Sequence, residues 1–371
     1  MCKLFKCSFI LTAAFLVSCL SQSSFASGSG ERHLVSPELL RSANLKLVWE
    51  NSLPTKKNES MERMLILGDQ IYLISDRNFT ISLDRQSGER IFYRNIAPEG
   101  LTADGFNRFD DEILYFVGNK YVELEAASGT EKKVTQVDFG IVCPVVRNTS
   151  FFYVSSIDRR LHVSGAKDRI GIFKVASDDG SMITTVNAGD DYVVFGTDTG
   201  KAYGMLPDEP KELWRFDAAA GLVGQIVRDS NSLYFSCDDM NVYKIDVPDM
   251  YTKKFMWKTI VPGLIQKAPR VTSTMVYQTA FGKNATVSAI DKDTGSVIWT
   301  LPGGKELLAE SRNKAYVITD DSTLVVMDNN SAKKVYSVNF AGVSRQVSNT
   351  VDSKIYIGDK SGRVACLEPL N

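Results

Sequence analysis

Ten aspartates stand as five adjacent pairs: Asp110-Asp111, Asp178-Asp179, Asp190-Asp191, Asp238-Asp239 and Asp320-Asp321. Two neighbouring carboxylates are what general acid/base work or a calcium site would use. None of the pairs lies in a D-x-[DN]-x-[DN]-G loop. All fall at the ends of apolar runs, where aspartate caps tight turns, and that structural use is the reading taken here. Histidine chemistry is equally thin. His33 lies in a Ser/Gly-rich stretch and reads as solvated. His162 alternates with Leu161 and Val163 and reads as a packed or edge position of a strand. Two isolated histidines cannot build a multi-histidine metal site, and no Gly-x-Ser-x-Gly elbow accompanies them. Of six cysteines, Cys2, Cys7 and Cys19 fall in the first residues; Cys143, Cys237 and Cys366 are far apart, lack C-x-x-C spacing and read as buried free thiols. The residues thus supply no catalytic, cofactor or metal set.

The elements that carry these residues recur. Short apolar runs centred on Tyr72, Tyr115, Tyr153, Val194, Tyr234, Tyr277, Tyr316 and Tyr356 follow one another at about forty residues. Within the sixth run, strands around Met275, Thr286 and Val297 are joined by Asp291-Lys292-Asp293-Thr294-Gly295, where Asp supplies capping and Gly a positive φ. The first unit repeats this as Asp84-Arg85-Gln86-Ser87-Gly88. Trp214, Trp257 and Trp299 close successive units. Eight such units predict an all-β, eight-bladed propeller of four-stranded antiparallel blades, with seven as the alternative if the weakly patterned second or third unit is not a blade. The last unit provides only three strands. Its fourth is expected from the N-terminal Leu45-Lys46-Leu47-Val48-Trp49, which would close the ring and remove two free sheet edges.

Ahead of the propeller, expected over 45–371, lie two segments of another kind. Lys3, Lys6 and the apolar stretch 9–17 read as a secretory signal over 1–18, too short to span a bilayer. Leu16-Val17-Ser18-Cys19 has the form of a bacterial lipobox, with Cys19 as the lipidated residue, while Ser24-Phe25-Ala26 offers ordinary cleavage and a soluble periplasmic or secreted product. Residues 19–44 read as a flexible tether, on the order of 25–30 Å as a coil. Asn58, Asn78, Asn148 and Asn284 stand in N-x-[ST] triplets that carry little weight in a bacterial chain. With 43 basic and 44 acidic residues and a net charge of -1, nothing suggests a nucleic-acid partner.

The form Asp-x-x-Thr-Gly-x-x-x-Trp at Asp291 to Trp299 resembles the quinoprotein-like (PQQ-like) β-propeller repeat. Together with the lipobox, tether and eight units, the chain resembles the BamB-type outer-membrane assembly lipoproteins. That resemblance implies a non-catalytic periplasmic scaffold on the outer membrane, without cofactor. Its implied partners are a BamA-like protein, through its POTRA region, and unfolded outer-membrane protein clients. It implies contact through the connections 176–182 and 218–225: Ser177, Asp178, Asp179 and Gly180 in the first, Ala219, Ala220, Gly221, Leu222 and Val223 in the second. The family pattern has Leu and Arg in the first loop and Asp in the second, and this chain keeps neither. Quinone-dependent dehydrogenases share the repeat but use a vicinal Cys-Cys pair absent here. A small-molecule-binding propeller and an envelope sensing or adhesion propeller are the alternatives.

Overall fold

The computed structural model describes residues 33–283 and 285–370. Eight antiparallel sheets follow one another along the chain. Blades 1 to 7 cover 61–95, 103–136, 146–176, 183–217, 222–260, 264–302 and 304–339, each ordered from innermost to outermost strand. Blade 8 takes three strands from 345–369 and its outermost strand, Leu45–Ser52, from the other end of the chain. That strand runs antiparallel to Arg363–Pro369, with Trp49 opposite Cys366. The predicted closure is therefore present. The tyrosine markers Tyr72, Tyr115, Tyr153, Tyr234, Tyr277 and Tyr356 are among the largest fully buried side chains. A side chain of that size is worth roughly 1.5–3 kcal/mol when fully buried, so the repeat in sequence is a repeat of core anchors. Blade 6 departs from four plain strands. Its innermost strand is split into Leu264–Ile265 and Arg270–Val271, both paired with Met275–Phe281; Pro269, with no backbone donor, lies in the gap.

Hairpin turns between third and outermost strands follow the expected chemistry. Asp291 Oδ1 accepts from the Thr294 backbone N–H at 2.7 Å and its hydroxyl at 2.8 Å, and Gly295 has φ +74°. Asp84 and Ser87 repeat the arrangement before Gly88 at φ +75°. The turns also latch neighbouring blades. Trp257 donates its indole N–H to the Lys292 carbonyl of blade 6 at 3.1 Å, and Trp49 does the same to Arg85 of blade 1 at 3.3 Å. Trp299 finds Asn329 of blade 7 at 2.8 Å. Two residues beyond the aromatic, Asn51 donates to the Gly88 carbonyl at 2.6 Å, while Thr259 and Arg94 donate to those of Gly295 and Gly129.

Two expectations need correction. The tether does not extend to residue 44, and His33 is half-buried against a carboxylate rather than free in solvent. Ser36 caps a helix, Pro37–Ser42, and Leu34, Val35, Leu40 and Ala43 are buried with Leu308, Phe340 and Leu367 of blades 7 and 8. His33 Nδ1 lies 2.8 Å from Glu50 Oε2, and Glu50 Oε1 accepts from the Leu34 N–H at 2.7 Å. Apolar residues in a Ser/Gly-rich context find a core to join at the closure seam. Cys19 lies outside the described residues, as does Asn284.

Candidate partner-binding rim

Connections between blades and turns between second and third strands share one rim of an antiparallel propeller; the remaining turns share the other. The two implied contact segments are consecutive connections of the first kind, entering blades 4 and 5. Between them stands the blade 4 turn at 198–200, which binds both. Met182 donates its N–H to Asp198 Oδ1 at 3.0 Å, and Thr199 donates to Asp179 Oδ2 at 3.0 Å. On the other side Ala218 N–H reaches the Gly200 carbonyl at 2.8 Å. A side chain at Gly200 would meet the Ala220 carbonyl at 2.5 Å, so the backbones pack directly. The two loops thus form one surface over blade 4.

Its charge is largely internal. Asp178 Oδ1 accepts from Lys201 Nζ and the Tyr203 hydroxyl, both at 2.5 Å, while Oδ2 takes Arg215 Nη1 at 2.6 Å. The Lys201 hydrogen bond, then that of Tyr203, holds the Asp178 carboxyl below the usual carboxylate range. Hydrogen bonds led by Ser181 hold Asp179 well below it. Burial, reinforced by Asp178 as acceptor, pushes the Tyr203 phenol up to about 12. At neutral pH the cluster is a fixed, ionised network with no group poised to exchange protons. Lys201, Tyr203 and Arg215 were not singled out in the sequence. Their signal was the alternation of Lys201/Tyr203 and the position of Arg215 beside Trp214.

The implied contact residues divide by exposure. Asp178, Asp179 and Ala219 are exposed, Gly180, Ala220 and Val223 are half-buried, and Ser177, Gly221 and Leu222 are buried. Leu222 packs with Trp214, Ile226 and Phe235, so it supports the surface from beneath.

The other aspartate pairs have two roles. Asp239 and Asp321 accept turn N–H groups from Asn241 and Thr323, as expected. Asp190 and Asp191 instead tie blades together: Asp190 accepts from Thr149 of blade 3 at 2.8 Å, and Asp191 pairs with Arg228 of blade 5 at 2.5 Å. His162 packs on Phe139, ring centroids 3.9 Å apart, with Nε2 3.0 Å from Asp158. Cys143, Cys237 and Cys366 are buried and free, and burial raises each thiol, Cys143 and Cys366 to about 12. Among the described residues no group of three or more His, Cys, Asp or Glu is placed to hold a metal ion, and no helix is long and apolar enough to cross a membrane.

The family model described as "Outer membrane protein assembly factor BamB" matches residues 200–371. The solved structure of BamB from Moraxella catarrhalis superposes with a TM-score of 0.65 at 14% identity, covering 87% of this chain and 97% of that one. Residues 200–371 thus resemble the BamB family, and the superposition shows that the propeller shares its fold with that structure. A computationally designed protein, Ika8, shares the fold at a TM-score of 0.63 and 13% identity, over 84% of this chain and 96% of its own. No curated protein matches the chain. The matched span begins at the blade 4 turn, so it contains the second loop and leaves the first outside.

Proposed function

We propose that the chain is a non-catalytic scaffold of the outer-membrane β-barrel assembly machinery, held by a lipid on Cys19 at the periplasmic face of the outer membrane. It docks a BamA-like core subunit, through the POTRA region, with the rim over blade 4. The observation that carries this reading is the fusion of two inter-blade loops into one surface around 198–200, in a propeller whose residues 200–371 match the BamB family model. Loops on a rigid scaffold are where binding is usually placed. The partner meets Asp179, Ala219 and the half-buried Gly180 and Val223, with the Asp178 network fixing the loop beneath. Unfolded outer-membrane proteins are the second partner class, and no cofactor is required.

The test is direct binding of the mature domain to the purified periplasmic region of the BamA-like protein from the same cell. Ala219→Arg adds bulk and charge to an exposed position and should weaken the complex at least about tenfold, or roughly 1.4 kcal/mol. Asn330→Arg, in a turn on the opposite rim, should leave affinity unchanged. Absence of any complex would remove the assembly role, whereas equal affinities for all three proteins would move the interface off this rim.

A further inference from the structure

One blade junction lacks its aromatic. At the docking position of the outermost strand stand Trp49, Phe92, Phe173, Trp214, Trp257, Trp299 and Tyr336 in seven blades, four residues past the turn glycine where that glycine exists (Gly88 to Phe92, Gly295 to Trp299). Counting four from Gly129, blade 2 has Lys133. The glycine on which it would dock in blade 3 is replaced by Arg169, which keeps the same left-handed backbone at φ +65°. Arg169 bends back to Glu123, Nη2 to Oε1 2.6 Å, and lies over the Phe152 ring at 4.2 Å. Its side chain is 91% buried, yet Nη1 has no partner. Thr135, at the position from which Asn51 and Thr259 reach the next blade, makes no hydrogen bond across to blade 3.

A cleft of about 580 Å³ occupies this junction. Tyr121, Phe139, His162, Arg169 and Phe173 line it, and Ile172 stands at its mouth, with Val134 and Ile170 exposed nearby. Its size lies within the range of ordinary binding pockets. Exposed apolar residues grouped around a cavity are unlike the scattered ones normal on a surface. Lys174 in the lining and Lys133 beside it enter no ion pair among the described residues, nor do the acids Asp138 and Asp168, while Arg169 adds a third cation whose only ion pair is with Glu123.

We propose that this cleft binds an aromatic side chain of a partner polypeptide, flanked by acidic residues, which supplies in trans the aromatic that the other seven junctions carry in cis. The aromatic takes the groove that Lys133 leaves open. The flanking carboxylates meet Lys174, Lys133 and the spare Arg169 N–H. The cleft's lining shares no residue with the loops of the rim over blade 4, and neither assignment depends on the other.

The probe is a fluorescein-labelled, end-blocked pentapeptide, Gly-Asp-Trp-Asp-Gly, followed by polarisation against the mature domain. Saturable binding is expected, weakened at least about tenfold when alanine replaces the peptide tryptophan. Ile172→Lys, at an exposed position, should give a similar loss, while Val335→Lys on the outermost strand of blade 7 gives none. A variant that restores the latch in cis, Glu123→Ser with Lys133→Trp and Arg169→Gly, copies the Ser82, Phe92 and Gly129 arrangement and should abolish binding. Should it fail to fold, the Ile172→Lys comparison decides. No saturation by about 1 mM, indifference to the peptide tryptophan, or wild-type binding by Ile172→Lys would overturn the proposal. So would a dimer in sedimentation velocity that Ile172→Lys dissolves without any peptide binding, since the occupant would then be a second copy.

Discussion

Replacing Gly88 by alanine tests the latch at the point where the two ends of the chain meet. A Cβ there would lie 2.5 Å from Trp49 Cδ2 and 2.9 Å from Asn51 Nδ2. Both belong to the N-terminal strand, and both hydrogen-bond to this same turn. Two costs combine. Holding alanine at φ +75° takes about 1–2 kcal/mol, and forcing the indole aside in a packed core adds about 1–3 kcal/mol. Gly118→Ala isolates the first cost, since Gly118 has φ +61° with nothing within 4 Å of the added carbon. Gly88→Ala should therefore be less stable than Gly118→Ala by about 1–3 kcal/mol in urea unfolding followed by tryptophan fluorescence. It should also show an altered native emission from Trp49. If the two variants unfold at the same urea concentration, the indole is not pinned on this turn, and the closure rests on strand pairing alone.

Trp214 and Trp257 give a second contrast, because Trp214 Nε1 is buried without a partner while Trp257 Nε1 is bonded. Trp257→Phe should cost about 1 kcal/mol more than Trp214→Phe by the same assay, and equal losses would deny the indole bond a role. Acid should loosen the hairpin turns. Asp84, Asp291 and Asp328 are held below the usual carboxylate range, first by backbone N–H groups of Ser87, Thr294 and Ser331. Their contribution is complete above about pH 4 and is lost as pH falls through the lowered folded values, so Asp291→Asn should flatten the pH dependence of melting temperature below pH 4 and leave it unchanged at pH 7. Ellman's reagent should find Cys143, Cys237 and Cys366 slow in the native domain at pH 8 and fast after unfolding, as thiols buried in apolar surroundings react poorly.

The blade count, the closing strand and the turn chemistry were legible in the sequence because each depends on contacts that repeat. Tyr72, Tyr115 and their successors had to recur at one spacing to fill equivalent cores, and Asp291 with Gly295 had to recur wherever a tight hairpin formed. Features that occur once were not legible. Nothing in Pro248-Asp249-Met250 announced that Trp214 would be left with an unpartnered N–H. Leu34, Val35 and Leu40 sat among serines and glycines, and only the seam of blades 7 and 8 gives them a place to bury. The Asp178 network joins residues up to 37 apart through blade geometry, beyond any local pattern.

The latch makes the two kinds of departure unequal. At the junction of blades 4 and 5 the turn glycine is missing but the aromatic remains. Trp214 then lies over its own blade, where Gly204 makes room for it: a side chain at Gly204 would sit 2.2 Å from the indole. The ring stays buried and the junction stays closed. Between blades 2 and 3 both halves of the pair are replaced, and by like charges, Lys133 and Arg169. Neither can fill an apolar groove, and the one that turns inward needs Glu123 to neutralise it. A domain selected only for stability has a simple remedy there, because three other junctions show the aromatic and glycine that fit: Trp49 with Gly88, Phe92 with Gly129 and Trp257 with Gly295. Retaining a buried ion pair beside an open, apolar-rimmed cleft is therefore better explained by use of that cleft than by the needs of the fold.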